Sequence, residues 1–149
     1  MVQRVIYPPV WLLLGLIAIF VLNESWPGLR FTSLTWQLLG GAIIVAGLLL
    51  LVAANGLFVR AGTEVIPFRP VSSLVTRGVY RLSRNPMYLG MALVLLGCAI
   101  TVGAMSAIAV PPLFAAIVEA RFIRHEERML RELFPVEYAA YCASVRRWL

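Results

Sequence analysis

The stretch NPMYLGMALVLLGCAITVGAMSAIAVPPLFAAIV, residues 85–118, contains no charged side chain. It is too long for one membrane-spanning helix of about 20 residues and slightly short for two of them. The sequence TVGAMSA, around Gly103, offers a break between two helices. The stretch therefore predicts a hairpin: one helix from Pro86 to Val102, and a second from Ala104 that continues past Glu119 to complete its crossing.

Two further apolar stretches, Val5–Leu22 and Phe31–Val59, precede this hairpin. The chain is 61% hydrophobic and 13% charged, with a mean hydropathy of +0.88. A water-soluble domain of this length could not bury so much apolar surface. We therefore expect an all-α integral-membrane bundle of about four transmembrane helices with a helical C-terminal tail, as one domain over residues 1–149. No cleavage pattern follows the first stretch, so we expect a retained helix there, not a signal peptide.

The basic residues are all arginine, and eleven of the thirteen lie between Arg60 and Arg84 or from Arg121 onward. Arginines beside apolar runs are typical of cytoplasmic loops, so we expect both regions and both termini at the cytoplasmic face of a bacterial inner membrane. The same distribution argues against nucleic-acid binding. Cys98 and Cys142 lie in unlike surroundings, which argues against a disulfide, and one histidine offers no metal-ligand spacing.

Glutamates follow the hairpin at positions where apolar residues are expected. On a helix with 3.6 residues per turn, Glu119 and Glu126 fall on the apolar stripe. Glu127 falls on its flank, within reach of Arg124 and Arg131. Buried carboxylates need partners, because an unpaired buried charge is costly. Either they pair with arginines of the loop before the hairpin, or they receive a cationic or hydroxyl-rich ligand.

The sequence RLSRNPMYLG, residues 81–90, stands where the hairpin begins. Pro86 suits the first turn of a helix, where its missing N–H costs nothing. Asn85 suits the capping position, where its side chain would accept a hydrogen bond from a free backbone N–H. By themselves these residues indicate a capped helix with interfacial anchors; a binding site at the membrane surface is the other interpretation.

Four motifs follow one another in the C-terminal part of the chain: TRGVY, RNPMYLG, EERML and EYAAY, which begin at residues 76, 84, 126 and 137. In this order they resemble the integral-membrane methyltransferases of the isoprenylcysteine carboxyl methyltransferase-like and phospholipid methyltransferase-like types. The resemblance covers roughly Arg60–Leu149, and the first two helices are generic. It implies S-adenosylmethionine as methyl donor, bound at the cytoplasmic side between hairpin and tail. The acceptor would be lipid-like or a small hydrophobic molecule.

The resemblance also implies roles for single residues. Glu126 and Glu127 match the paired glutamates of the family, and one of them should hold the ribose hydroxyls or the amino group of the cofactor. Arg146 is the candidate for orienting an anionic acceptor. If the acceptor is an amine, Glu126 or His125 is the candidate base. The other residues expected to bind the cofactor are Tyr80, Asn85, Pro86, Met87, Tyr88, Gly90, Tyr138 and Tyr141.

Three points bear on the choice of function. Asn85 stands where the eukaryotic prenylcysteine enzymes have histidine, which argues against a prenylcysteine acceptor. A membrane reductase of the sterol-reductase type, which would use NADPH, is an alternative with a similar arrangement of C-terminal helices. A non-catalytic membrane module is another, with its glycines (Gly40, Gly41 and Gly47) as the surface that contacts a partner.

Overall fold

The computed structural model describes residues 7–60 and 74–149, so most of the loop predicted from Arg60 to Arg84 lies outside the described residues. Within those ranges the regular structure is helical, which confirms the all-α prediction. Short 3-10 segments at Gly78–Arg81 and Met105–Ala109 and a π-helical turn at Glu119–Ile123 join the longer helices. The α-helices are α1 (Pro8–Ser25), α2 (Leu34–Arg60), α3 (Pro86–Val102), α4 (Val110–Val118), α5 (Arg124–Leu133) and α6 (Pro135–Ser144).

Among these helices, α1, α2 and the helical run Met105–Leu133 are long and apolar enough to cross a membrane. Helix α3 is apolar but has 17 residues, which is about 25 Å of helix and slightly less than the usual span. Helices α1 and α2 also expose large apolar side chains, such as Leu13 and Leu49, that lipid would cover. The predicted bundle of about four transmembrane helices is confirmed.

The predicted break at Gly103 is where α3 ends. Gly103 has a φ of 72°, the left-handed conformation in which glycine commonly terminates a helix. Its carbonyl accepts a hydrogen bond of 2.9 Å from the Phe31 N–H, and the Met105 N–H donates to the Leu29 carbonyl at 3.0 Å. The α1–α2 connection is thereby joined to the turn of the hairpin. This end of the bundle is opposite the end at which Pro86 begins α3.

Helices α2 and α3 approach closely through glycines that face each other in antiparallel register. A Cβ built on Gly40 would lie 2.6 Å from the Gly97 carbonyl oxygen, and one on Gly90 would lie 2.9 Å from the Gly47 carbonyl oxygen. Backbones can come this close only where neither helix carries a side chain. Gly41 has no such neighbour within 4 Å. Two of the three glycines predicted to contact a partner are therefore occupied by α3 of the same chain.

The π-helical turn Glu119–Ile123 changes which glutamate is buried. A π turn contains one more residue than an α turn, so residues eight apart across it lie on one face, where a regular helix aligns residues seven apart. Glu127 therefore shares a face with Glu119 and is buried, whereas Glu126 is half-buried. The prediction of Glu127 on the flank is wrong, because it assumed an uninterrupted α-helix, whereas Glu126 does face inward, where it contacts the buried Tyr88.

The glycine contact predicts different effects for two neighbouring substitutions. Gly40→Ala should lower the free energy of unfolding by about 1–3 kcal/mol, because the new methyl group would meet the α3 backbone. Gly41→Ala should cause no loss, since its Cβ would enter open space. Thermal unfolding of both variants in the same detergent tests this. Equal destabilisation would contradict the close approach of α2 and α3.

Candidate active site

The C-terminal segment, which follows α6, is hydrogen-bonded along the residues that precede α3. The Arg84 N–H donates to the Arg146 carbonyl at 3.0 Å. The Ser83 hydroxyl and the Asn85 side-chain amide donate to the Arg147 carbonyl at 3.2 and 3.0 Å. Ser83 is fully buried, so these bonds lie inside the protein. They fix the end of the chain beside the start of the hairpin.

Asn85 therefore differs from its prediction as a helix cap. It occupies the residue before α3, with Pro86 in the first turn as predicted, but its side chain makes no capping hydrogen bond. Its amide donates to the C-terminal segment, and its own backbone N–H donates to the Ser83 hydroxyl at 3.0 Å. The prediction that the Asn85 side chain accepts a bond from the helix is wrong, because the tail carbonyl competes for the same side chain.

Glu127 is 3% exposed and is held by three arginines. Arg147 binds both of its carboxylate oxygens, at 3.0 and 2.8 Å. Arg84 adds a bond of 3.1 Å to one oxygen, and Arg131 adds one of 3.4 Å to the other. A carboxylate has about four acceptor positions, so these bonds saturate it. Removing this carboxylate from water is costly, and three cations offset that cost.

Glu119, eight residues earlier on the same helix face, is held in a similar way. One of its oxygens accepts from Arg147 at 3.0 Å and from Arg124 at 3.3 Å. The other accepts from the indole N–H of Trp148 at 3.0 Å. Arg147 consequently bridges Glu119 and Glu127. The hydrogen bond with Glu127 raises the pKa of the Arg147 guanidinium, which keeps its full charge. Both glutamates thus hold the C-terminal segment.

Glu126 has a different environment. Its Oε1 accepts a hydrogen bond of 2.7 Å from the Tyr88 hydroxyl. Within residues 7–60 and 74–149, no arginine pairs with it and no donor reaches its Oε2. Tyr88 is 7% exposed, and its ring stacks on Phe122 with the centroids 6.3 Å apart. Glu126 is therefore the carboxylate of this group with acceptor positions left for a ligand.

A second cluster of aromatic side chains lies between the start of the hairpin and α6. The Tyr141 hydroxyl donates to the Tyr80 carbonyl at 2.6 Å, and Tyr138 is 1% exposed beside it. Burial raises the pKa of the Tyr80 and Tyr141 hydroxyls, so both remain protonated near neutral pH. Ala54 of α2 and Val145 of the C-terminal segment complete this cluster. It packs the tail against the membrane helices.

A comparison with protein families bears directly on these residues. The model of the phospholipid methyltransferase family matches residues 35–137, which include α2, the hairpin, Glu126 and Glu127. The chain belongs to the phospholipid methyltransferase family. It is thus an integral-membrane protein of a methyltransferase family, as the four motifs predicted. A comparison with curated proteins found no match.

In this phospholipid methyltransferase family member, the predicted site residues fall into separate groups. Tyr88 and Glu126 are in contact. Pro86 is buried, and Gly90 faces the Gly47 carbonyl of α2. Arg146 is exposed and contributes its backbone carbonyl to the Arg84 N–H. The predicted residues that belong to the second aromatic cluster, or pack against it, are Tyr80, Met87, Tyr138 and Tyr141.

Sequence reasoning missed Arg147 and Trp148. Arg84 is one of the loop arginines expected as possible partners of the glutamates, and it pairs with Glu127. The tail of the chain reads VRRW, in which two arginines are adjacent. Val145 has φ −130° and ψ 133°, an extended conformation in which successive side chains point to opposite sides. Arg147 consequently faces the glutamates while Arg146 faces outward. Composition alone contains no signal that separates the two arginines.

The adjacent arginines provide a matched test of the tail contacts. Arg147→Gln should lower the free energy of unfolding by about 1–3 kcal/mol, because Glu119 and Glu127 lose a shared charged donor. It should also accelerate amide hydrogen exchange in residues 145–148. Arg146→Gln removes the same charge from an exposed position and should change neither quantity. Identical behaviour of the two variants would refute the bridging role of Arg147.

Proposed function

We propose that the protein transfers a methyl group from S-adenosylmethionine to a lipid-like or small hydrophobic acceptor at the cytoplasmic membrane face. The proposal rests on the environment of Glu126. This carboxylate is half-buried, is oriented by a hydrogen bond from Tyr88, and has no arginine partner in the described chain. Its neighbour Glu127 is saturated by three arginines. A site with one available carboxylate beside a closed ion-pair network suits a ligand that brings hydroxyl or ammonium donors.

The residues present fit this cofactor by their chemistry. S-adenosylmethionine carries an ammonium group, ribose hydroxyls and a sulfonium, all of which favour a carboxylate or the faces of aromatic rings. Glu126 supplies the carboxylate, and the stacked rings of Tyr88 and Phe122 lie beside it. We assign the ribose hydroxyls or the amino group to Glu126. Glu127 becomes the residue that holds the tail in place.

The cofactor, when bound, supplies the methyl group on its sulfonium for an in-line displacement. The protein then has to align the acceptor with this methyl group and exclude water, since positioning supplies much of the rate in such a transfer. The C-terminal segment, fixed by Arg147 and Trp148, closes the site on the side of the tail. Lipid-facing helices on the other side would let a hydrophobic acceptor approach from the bilayer.

The acceptor is either a carboxyl group or an amine in this proposal. A carboxylate is already a nucleophile near neutral pH, and the exposed Arg146 is then the candidate for orienting it. An amine must lose a proton, and Glu126 is the candidate base. The concentration of arginine before α3 and in the tail supports a cytoplasmic location of the site and of both termini.

Calorimetric titration with S-adenosylhomocysteine tests the cofactor site. Glu126→Gln and Tyr88→Phe should each weaken binding about tenfold, because each removes or misplaces a charge-assisted hydrogen bond. Glu132→Gln removes an exposed carboxylate from the same helix and should leave the affinity unchanged.

NADPH is the control ligand for the wild-type protein and should not bind. The folded state of the protein is first checked by a cooperative thermal transition. If such protein binds NADPH saturably and does not bind S-adenosylhomocysteine, the proposal of methyl transfer is wrong and a reductase is favoured. Binding of neither ligand would favour a non-catalytic membrane module.

A further inference from the structure

Arg121 and Trp11 meet on the side of the bundle formed by α1 and the π turn. The guanidinium carbon of Arg121 lies 5.7 Å from the centre of the Trp11 ring. Trp11 belongs to the first turn of the membrane helix α1, and tryptophan at a helix end is typical of the membrane surface. Arg121 follows the fully buried Val118 by three residues, where α4 gives way to charged residues. Both segments therefore place the pair at the depth of lipid headgroups.

Both side chains lack a hydrogen-bond acceptor within the described parts of the chain. Arg121 is exposed, and its contact there is the Trp11 ring. The nearest acid in sequence, Glu119, is already bound to Arg124, Arg147 and Trp148. The indole N–H of Trp11 is buried, so Trp11 contributes the face of its ring to this pair. An exposed guanidinium that has no acceptor in the described chain and lies over an indole ring favours an oxyanion ligand.

We propose that Arg121 and Trp11 form a binding site for the phosphate of a membrane lipid headgroup. A planar guanidinium binds phosphate through two parallel hydrogen bonds, and stacking on an indole ring orients that plane. Lipid phosphate is the oxyanion found at this depth, and anionic lipids of the cytoplasmic leaflet are attracted to basic segments. The site needs neither methyl donor nor acceptor and is thus independent of the proposed reaction.

Native mass spectrometry of the detergent-purified protein measures this binding. The probes are dioleoyl phosphatidic acid, dioleoylglycerol, which has the same chains without the phosphate, and inorganic phosphate. The wild type should retain one phosphatidic acid per chain preferentially over dioleoylglycerol, and inorganic phosphate should not displace it. Arg121→Gln should weaken retention about tenfold through loss of charge-assisted bonds. Trp11→Phe should weaken it about threefold, because phenylalanine stacks less strongly on a guanidinium.

Arg128→Gln is the matched control. Arg128 is exposed on α5 and, within residues 74–149, has no carboxylate partner, so the variant loses the same charge from the same face of the membrane. Its affinity should stay within about twofold of wild type. Unfolding temperatures measured without lipid show whether Arg121→Gln is folded. If it is not, lipid retention by Trp11→Phe alone tests the proposed site.

Four results would overturn the proposal. Equal losses in the Arg121 and Arg128 variants would mean a diffuse effect of surface charge. Equal retention of dioleoylglycerol would mean that the acyl chains alone bind. Displacement by inorganic phosphate would mean a site for the free ion, and no lipid retention by wild type would mean no site.

Discussion

The bidentate ion pair between Arg147 and Glu127 is the interaction on which the rest of the site depends. Glu127 is nearly inaccessible to water, and a buried carboxylate is tolerated only with full compensation. Arg84 and Arg131 contribute to that compensation, but Arg147 binds both oxygens and also reaches Glu119. The end of the chain is thereby drawn against the start of α3. The saturation of Glu127 in turn leaves Glu126 as the carboxylate that a ligand can use.

This arrangement depends on two departures from regular helix packing. Facing glycines bring α2 and α3 into backbone contact, so that α3 presents Tyr88 from a rigid pair of helices. The π turn before α5 then shifts the register by one residue and turns Glu127 towards the core. π turns are frequent at functional sites, and here the turn separates a structural glutamate from an available one.

The coarse architecture could be predicted because it depends on length and charge alone. A stretch of 34 uncharged residues cannot be one span, and Gly103 ends its first helix where the sequence indicated a break. The ordered motifs also identified the family. The site could be predicted only in outline. Helix plotting cannot detect a π turn, and no local rule shows that the Asn85 amide binds the distant Arg147 carbonyl in place of its own helix.

The most direct test of the division between Glu126 and Glu127 is an experimental structure of the protein with S-adenosylhomocysteine bound. We expect a carboxylate oxygen of Glu126 within hydrogen-bonding distance of the ligand's amino group or ribose hydroxyls. Glu127 should still be paired with Arg84 and Arg147. A ligand bound by Glu127 with these arginines displaced, or one bound away from both glutamates, would contradict the proposed site.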